Sequence, residues 1–377
     1  MEKRRAEDDL EAHFSSVQRI CDKTALPAVV PRLKYALQSR LDLASQLRML
    51  RAQASTSVTS QQKLEAWENL KILAFTRVTT ASLSLAILSL HMRIMLNVLS
   101  RQLYLEHALQ GTPGRTGWPS LSVEAQESFL GLVEKGFPSA GLENLISAVQ
   151  QTVCRKVANL QLSKSLTESE LRALLMDIYS DLIPMVIKGT WMSVPGTRSD
   201  GTDGLISHSV ESSETAQVPD ESRSSCEIQN RLPCGTHEHR WDSVLLPHDQ
   251  FLDNLFENQT PNSPSADSSE FEARDSVMTT IGFEMEQLKS MVQEVRNTLR
   301  NRRFVKTLEA ALEQTWHQMM KETADELYGD DPGKTVAVAK LVPAMSNLSG
   351  DFLENPSALL RAVANCDDVH NFTREIW

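Results

Sequence analysis

Residues 61–110 contain neither glycine nor proline, so the chain can form continuous helix over this whole length. The segment 81–99, ASLSLAILSLHMRIMLNVL, is the most apolar part of the sequence. A helix that is apolar on nearly all sides is buried either in a protein core or in a bilayer. His91, Arg93 and Asn97 interrupt its second half, and a bilayer interior penalises such groups. We therefore predict the core helix of a large bundle, with a membrane span as the alternative; one kinked helix or two helices would fit.

Helical patterns dominate the rest of the chain. Thr59 with Gln62, and Thr167 with Glu170, have the spacing of capping boxes at helix starts. Pro27 and Pro31 are expected to break the first helical run. Further helices are expected near 122–135, 142–162, 281–328, 335–348 and 356–364, and no segment shows the strand–turn–helix alternation of a parallel sheet. The predicted fold is all-α, an elongated bundle of long helices forming a single domain.

One long segment is predicted to interrupt this domain. Residues 196–275 are rich in Ser, Asp, Glu and Thr, and bury too little apolar surface to offset the entropy of ordering. Within them, RWDSVLLPHDQFLDNLF (240–256) is apolar enough to anchor on the domain. We expect a first helical part over 1–195, a mostly disordered insertion over 196–275, and a second helical part over 276–377.

The charge balance excludes one class of function. The chain has 38 Lys and Arg against 49 Asp and Glu, a net charge of −11. Nonspecific binding to nucleic acid requires cations that neutralise phosphates, so we expect no nucleic-acid partner. The five cysteines are scattered and odd in number, which favours free thiols in a reducing compartment.

The sequence contains none of the common catalytic or nucleotide-binding motifs, and we predict no enzymatic activity and no cofactor. The nearest approach to a metal site is the group Cys226, Cys234, His237, Glu238, His239 and His248. Its spacing does not match the usual paired zinc ligands, so a polar linker is preferred over a zinc-dependent enzyme. Asp330 and Asp331 precede Pro332 and Gly333, which favours a turn over a catalytic carboxylate pair.

A basic cluster stands out in this acidic chain. Its members are Arg296, Arg300, Arg302, Arg303 and Lys306. A solvated helix face is the preferred interpretation, and contact with anionic lipid head groups or an acidic partner is the alternative.

Trp67 is the candidate interaction residue that the sequence singles out. It lies in KLEAWENLKILAFTR (63–77), on a predicted helix and flanked by Glu65, Glu68 and Asn69. From composition alone, a partly buried core position is favoured. The alternative is an exposed anchor for a partner, because Trp is enriched in interface hot spots.

The same segment carries a resemblance to a known family. KLEAWENLKILAFTR followed by MRIMLNVLSRQLYLEHA (92–108) resembles the signature of the peroxisomal biogenesis factor 3 (peroxin-3) family. Further similarity lies in AHFSSVQRICDKTALP, FPSAGLENLISAVQQTV, VRNTLRNRRFVKTLEAAL and VAKLVP. The resemblance covers nearly the whole chain outside 196–240, and the N-terminal part is most similar to the plant branch.

The resemblance implies a receptor without catalysis, facing the cytosol on the peroxisomal membrane. Such a receptor docks an amphipathic helix of the import receptor peroxin-19, which carries peroxisomal membrane proteins. By position, the docking residues would be Trp67 with Lys63, Leu64 and Leu70, and Lys71 at the flank. The exposed-anchor interpretation of Trp67 then becomes the preferred one.

Two departures from the family pattern accompany this resemblance. Family members begin with a membrane anchor that this sequence lacks, so we expect an N-terminally shortened chain or a soluble cytosolic form. Residues 50–62 do not align cleanly, so no contact is carried over there. A helical membrane tether or scaffold remains the alternative function, and the two roles are compatible.

Overall fold

The computed structural model describes residues 2–43, 48, 59–110, 120–193, 241–257, 271–329, 331 and 333–377. Almost all of the described chain is helical. The helices are α1 (Glu2–Ile20), α2 (Leu26–Arg40), α3 (Ser60–Gln110), α4 (Val123–Lys135), α5 (Leu142–Val157), α6 (Glu168–Ile187), α7 (Asp242–Leu245), α8 (Asp249–Glu257), α9 (Phe271–Arg300), α10 (Arg302–Tyr328), α11 (Val338–Glu354), α12 (Ser357–Ala364) and α13 (Asp367–Glu375). The all-α prediction is confirmed.

Helix α3 lies at the centre of the fold. It shows that the long segment without Gly or Pro forms one helix and not two. It is a single helix of 51 residues that packs against α5, α10 and α11. Every residue from Ala81 to Leu99 is buried. By length and composition the stretch Gln61–Ala108 could cross a membrane, but its apolar window lies wholly inside the protein. The interpretation of 81–99 as a core helix is confirmed.

Two polar side chains within this helix, Arg93 and Asn97, have partners near the ends of the chain. Arg93 donates to Gln18 Oε1 at 2.7 Å and forms an ion pair with Asp22. Asn97 Oδ1 accepts hydrogen bonds from Gln18 Nε2 at 3.1 Å and from the indole of Trp377 at 2.6 Å. These bonds tie α1, the π turn after it and the C-terminal Trp377 to α3, and they offset part of the cost of burying Arg93 and Asn97.

The predicted break at Pro27 and Pro31 is wrong. A π-helical turn, Cys21–Ala25, joins α1 directly to α2, and Pro27 lies in the first turn of α2. Pro31 lies inside α2, which continues to Arg40. The wider π turn allows the chain to remain helical through a segment that proline would otherwise interrupt.

Two short strands, which the sequence did not predict, join distant parts of the bundle. β1 (Ser165–Thr167) pairs antiparallel with β2 (Thr335–Ala337), placing Leu166 opposite Val336. The helix expected from 335 therefore begins only at Val338. The buried Tyr328 hydroxyl donates to the Leu166 carbonyl at 3.1 Å and fastens the end of α10 to this ribbon.

The second half of the chain departs from prediction at several boundaries. The expected helix 281–328 is two helices, α9 and α10, separated at Asn301, whose side chain caps α10. Helix α9 begins at Phe271, inside the range predicted as insertion, and α13 was not predicted. Most of 196–275 lies outside the described residues, so the insertion stays a prediction.

The apolar island within that range does anchor on the domain, as predicted. Trp241 is completely buried, with its ring centroid 5.8 Å from that of Trp191 and 6.0 Å from that of Phe304. Gly136 makes room for this segment, because a Cβ at that position would lie 1.8 Å from the carbonyl oxygen of Leu245. Trp241, Val244, Leu245, Leu246 and Leu252 of this segment are therefore part of the core.

Candidate functional site

The candidate site lies at the N-terminal end of α3. The capping box predicted there is present: Gln62 N–H donates to Thr59 Oγ1 at 3.3 Å, and Thr59 N–H donates to Gln62 Oε1 at 3.1 Å. These bonds satisfy two backbone donors and fix the start of the helix. The side chains of the next two turns are therefore presented from a helix with a defined beginning.

The exposure of α3 changes abruptly along its length. No described residue from 61 to 69 is buried, whereas nearly every residue from 70 to 99 is. Within the exposed part, Leu64 is 51% exposed, and Lys63 and Trp67 are half-buried. Trp67 packs against the edge of the core while keeping part of its indole accessible. Lys63, Leu64 and Trp67 occupy adjacent positions on one side of the helix.

Leu70 and Lys71, which were also predicted to bind a partner, lie in the interior. Leu70 is 1% exposed and belongs to the core, and the Lys71 side chain is fully buried. The Lys71 ammonium forms an ion pair with Glu68 and donates to the Leu160 carbonyl at 2.5 Å. A helix that turns 100° per residue places Leu70 and Lys71 beneath Trp67, on the side that meets the core. They support the surface from below and offer little area to a partner.

The opposite side of the same helix borders a groove that the sequence did not indicate. Asn69, Ile72 and Leu73 face the last turns of α5, including Gln151 and the exposed thiol of Cys154. Positions 69, 72 and 73 lie 140–240° around the helix from position 67, at about 100° per residue. The groove is thus separate from the Trp67 surface, and no sequence motif marks it.

The possible metal ligands do not form a site in the described part of the chain. Five of the six sequence candidates, Cys226 to His239, lie outside the described residues, and His248 precedes α8. Among the described residues, no group of three or more His, Cys, Asp or Glu could hold a metal ion. Asp331 Oδ1 accepts a hydrogen bond from Gly333 N–H at 3.0 Å, which is the predicted turn.

Three members of the predicted basic cluster pair with carboxylates of the same chain. Arg300 contacts Asp242 at 2.7 Å, Arg296 pairs with Asp249, and Arg303 pairs with Glu375. The first two pairs hold the 241–257 segment, and the third holds the C-terminal helix. Arg302 and Lys306 remain exposed.

The geometry at the start of α3 suits recognition of an apolar helix face. A partly exposed Trp and an exposed Leu one turn apart provide the apolar contact, and Lys63 adds a positive charge beside them. Recognition of amphipathic helices depends on a few such anchors with charged groups at the rim.

Comparison with known proteins connects this surface with a family. The family model Peroxin-3 matches residues 2–127, which include α1, α2, the whole of α3 and the Trp67 segment. This part of the chain is similar to the Peroxin-3 proteins. It is 31% identical over 196 residues to peroxisomal biogenesis factor 3 of Bos taurus and of Homo sapiens, an alignment that covers 52% of this chain and 48% of each relative.

A plant Peroxin-3 protein is similar to the same degree. Peroxisome biogenesis protein 3-1 of Arabidopsis thaliana is 32% identical over 200 residues, which is 52% of this chain and 55% of that protein. The chain thus matches about half the length of these curated relatives. The matches cover less of the chain than the sequence motifs predicted, and the family-model match includes the complete helix that carries Trp67.

Proposed function

We propose that this chain acts in peroxisome biogenesis as a docking receptor, at the cytosolic face of the peroxisomal membrane. Its ligand would be one amphipathic helix of peroxin-19, the import receptor that carries peroxisomal membrane proteins. The role is one of binding and not of catalysis. The resemblance of KLEAWENLKILAFTR to the family signature supports the identity of the partner, and the Peroxin-3 match supports the process.

One structural observation carries the proposal. The helix that is buried from Leu70 to Leu99 begins with two turns whose side chains are accessible, and these turns hold Leu64 and Trp67. A helix whose only task was to fill the core would not need a large aromatic residue at its exposed end. Trp supplies large contact area with few rotatable bonds, which makes it effective at interfaces.

The support beneath the surface favours a preformed site. Lys71 joins α3 to the segment after α5 through Leu160, and its pairing with Glu68 fixes a carboxylate beside Trp67. A rigid site loses little conformational entropy on binding, which improves affinity. We expect the ligand helix to lay apolar side chains against Leu64 and Trp67, with an acidic residue near Lys63.

Titration of a synthetic peptide of the peroxin-19 amphipathic helix tests this proposal. Binding should show saturation with one peptide per chain by calorimetry. Replacing Leu64 with Ser should weaken it by about tenfold, or about 1.4 kcal/mol, because Leu64 is exposed and gives up only its contact with the peptide. Val123→Ser, which changes a 63% exposed apolar residue elsewhere, is the matched control. Equal affinity in the Leu64 variant would count against the proposal.

A further inference from the structure

A second surface, separate from Trp67, lies between α2, α4 and α8. We name it the Tyr35 groove; its apolar lining consists of Pro31, Tyr35, Ala36, Pro138 and Phe251. Tyr35 is 74% exposed, the highest exposure among the large apolar side chains of the described residues, and Phe251 is 39% exposed. Two exposed aromatic rings with prolines between them form an apolar contact surface of the kind found at protein interfaces.

The rim of the Tyr35 groove is basic. Arg32, Arg40 and Lys135 line it together with a single carboxylate, Glu134, whereas the chain as a whole has a net charge of −11. Arg40 is occupied, because it pairs with Glu143 at 2.8 Å and donates to the Ser139 carbonyl at 2.9 Å. The positive charge available to a ligand therefore comes from Arg32 and Lys135.

These two cations are poorly neutralised by the chain itself. Arg32 is 63% exposed and lies 3.5 Å from Glu134, a long contact for a surface ion pair. Lys135 Nζ lies 5.2 Å from the centre of the Phe251 ring, and no carboxylate among the described residues comes within 4 Å of it. An exposed cation over an aromatic ring gains only about 0.5–1 kcal/mol, so Lys135 remains available for a stronger partner.

We propose that the Tyr35 groove binds a short acidic segment of another protein. One large apolar side chain of that segment packs between Tyr35 and Phe251, and carboxylates on either side of it meet Lys135 and Arg32. Charge complementarity identifies the partner as acidic, and the exposed aromatic rings require an apolar anchor within it. This surface is on different elements from Trp67, so the inference does not depend on the proposed function.

Fluorescence polarisation with the full chain tests the inference. The probe is a labelled synthetic peptide of about twelve residues. It consists of Glu and Asp around a central Leu-Phe pair. A second peptide carries Lys in place of every acidic residue. We expect the acidic peptide to bind, with affinity that falls as salt increases, and the basic peptide not to bind. Equal binding of the two peptides would overturn the inference.

Two variants and two controls locate the binding. Arg32→Glu with Lys135→Glu, and separately Tyr35→Ser with Phe251→Ser, should each weaken binding at least about tenfold. Lys289→Glu, a charge reversal at an exposed residue of α9, and Trp67→Ala should remain within about twofold of the unmodified chain. An equal loss in the Lys289 variant would show nonspecific attraction and would overturn the inference.

A deletion distinguishes a partner from the chain's own acidic segment. Residues 198–236 contain several Asp and Glu, and they precede Trp241 in the sequence. If the ligand belongs to another protein, deleting them should leave the affinity for the acidic peptide within about twofold. A gain of tenfold or more would identify an intramolecular ligand and contradict the proposal of a separate partner.

Discussion

The ammonium of Lys71 donates a hydrogen bond to the carbonyl oxygen of Leu160, 2.5 Å away, although the two residues are 89 positions apart. This contact joins the helix that carries Trp67 to the segment that follows α5. Because the Lys71 side chain is fully buried, its charge is stabilised only by this carbonyl and by Glu68 in the described part of the chain. The bond connects the candidate docking surface to the stability of the bundle.

Lys71→Met should therefore destabilise the protein. The substitution keeps the apolar stem and leaves the partly buried Leu160 carbonyl without its donor, which costs about 1–3 kcal/mol. Urea unfolding followed by circular dichroism measures the change. The matched control is Lys289→Met at an exposed position, which should stay within about 0.5 kcal/mol. Equal stabilities of the two variants would show that the Lys71 contact contributes little.

Gly136, which contacts the 241–257 segment, and Gly131, inside α4, should respond in opposite ways to alanine. Gly136→Ala places a Cβ 1.8 Å from the Leu245 carbonyl oxygen, so the segment must shift and the melting temperature should fall. Gly131→Ala adds a methyl group inside α4 with no heavy atom within 4 Å, and should stabilise by about 0.5–1 kcal/mol. Differential scanning calorimetry gives both values. A Gly136 variant as stable as the Gly131 variant would mean that this segment is not packed as described.

Buried His91 should make the fold sensitive to mild acid. Burial lowers the pKa of His91 from 6.5 to about 3, and neither ring nitrogen has a hydrogen-bond partner among the described residues. Between these values the unfolded chain binds a proton that the folded chain does not. Above pH 6.5, His91 therefore does not lower the free energy of unfolding. Below pH 6.5, proton uptake by the unfolded chain lowers it by about 1.4 kcal/mol per pH unit.

Comparison with His91→Leu isolates this effect, because every other titrating group is the same in both proteins. Urea unfolding at pH 7 and pH 5 should show a larger loss in the unmodified chain than in the variant, by about 2 kcal/mol. At pH 7 the Leu variant should be as stable or more stable, since it removes an unpaired polar group. Parallel pH profiles of the two proteins would contradict the assignment.

The parts of the fold that local patterns determine were predictable from the sequence. The absence of Gly and Pro over 61–110 indicated the long helix, and the capping boxes at Thr59 and Thr167 are both present. The polar groups of 81–99 correctly favoured a core helix over a membrane span. Each of these inferences depends on residues within a few turns of one another, where helix geometry alone sets the contacts.

Features that depend on distant contacts were not predictable. The π turn before Pro27 and the pairing of Leu166 with Val336 arise from tertiary packing that no local pattern records. Similarly, the resemblance of residues 63–77 to the family signature implied that Leu70 and Lys71 bind a partner, whereas both are buried beneath Trp67. A helical repeat identifies which residues share a side, but which side faces the core depends on the neighbouring helices.

The central claim is that Trp67 is a binding anchor and not a core residue, and Trp67→Ala tests it most directly. Titration of the peroxin-19 helix peptide should show affinity reduced by at least about thirtyfold, or 2 kcal/mol, as for an interface hot spot. The melting temperature of the Trp67 variant should stay close to that of the unmodified chain. Trp316→Ala, at a position 1% exposed, should lower the free energy of unfolding by about 3–5 kcal/mol and the melting temperature with it. Wild-type affinity in Trp67→Ala, or a loss of affinity that follows a loss of stability like that of Trp316→Ala, would contradict the account.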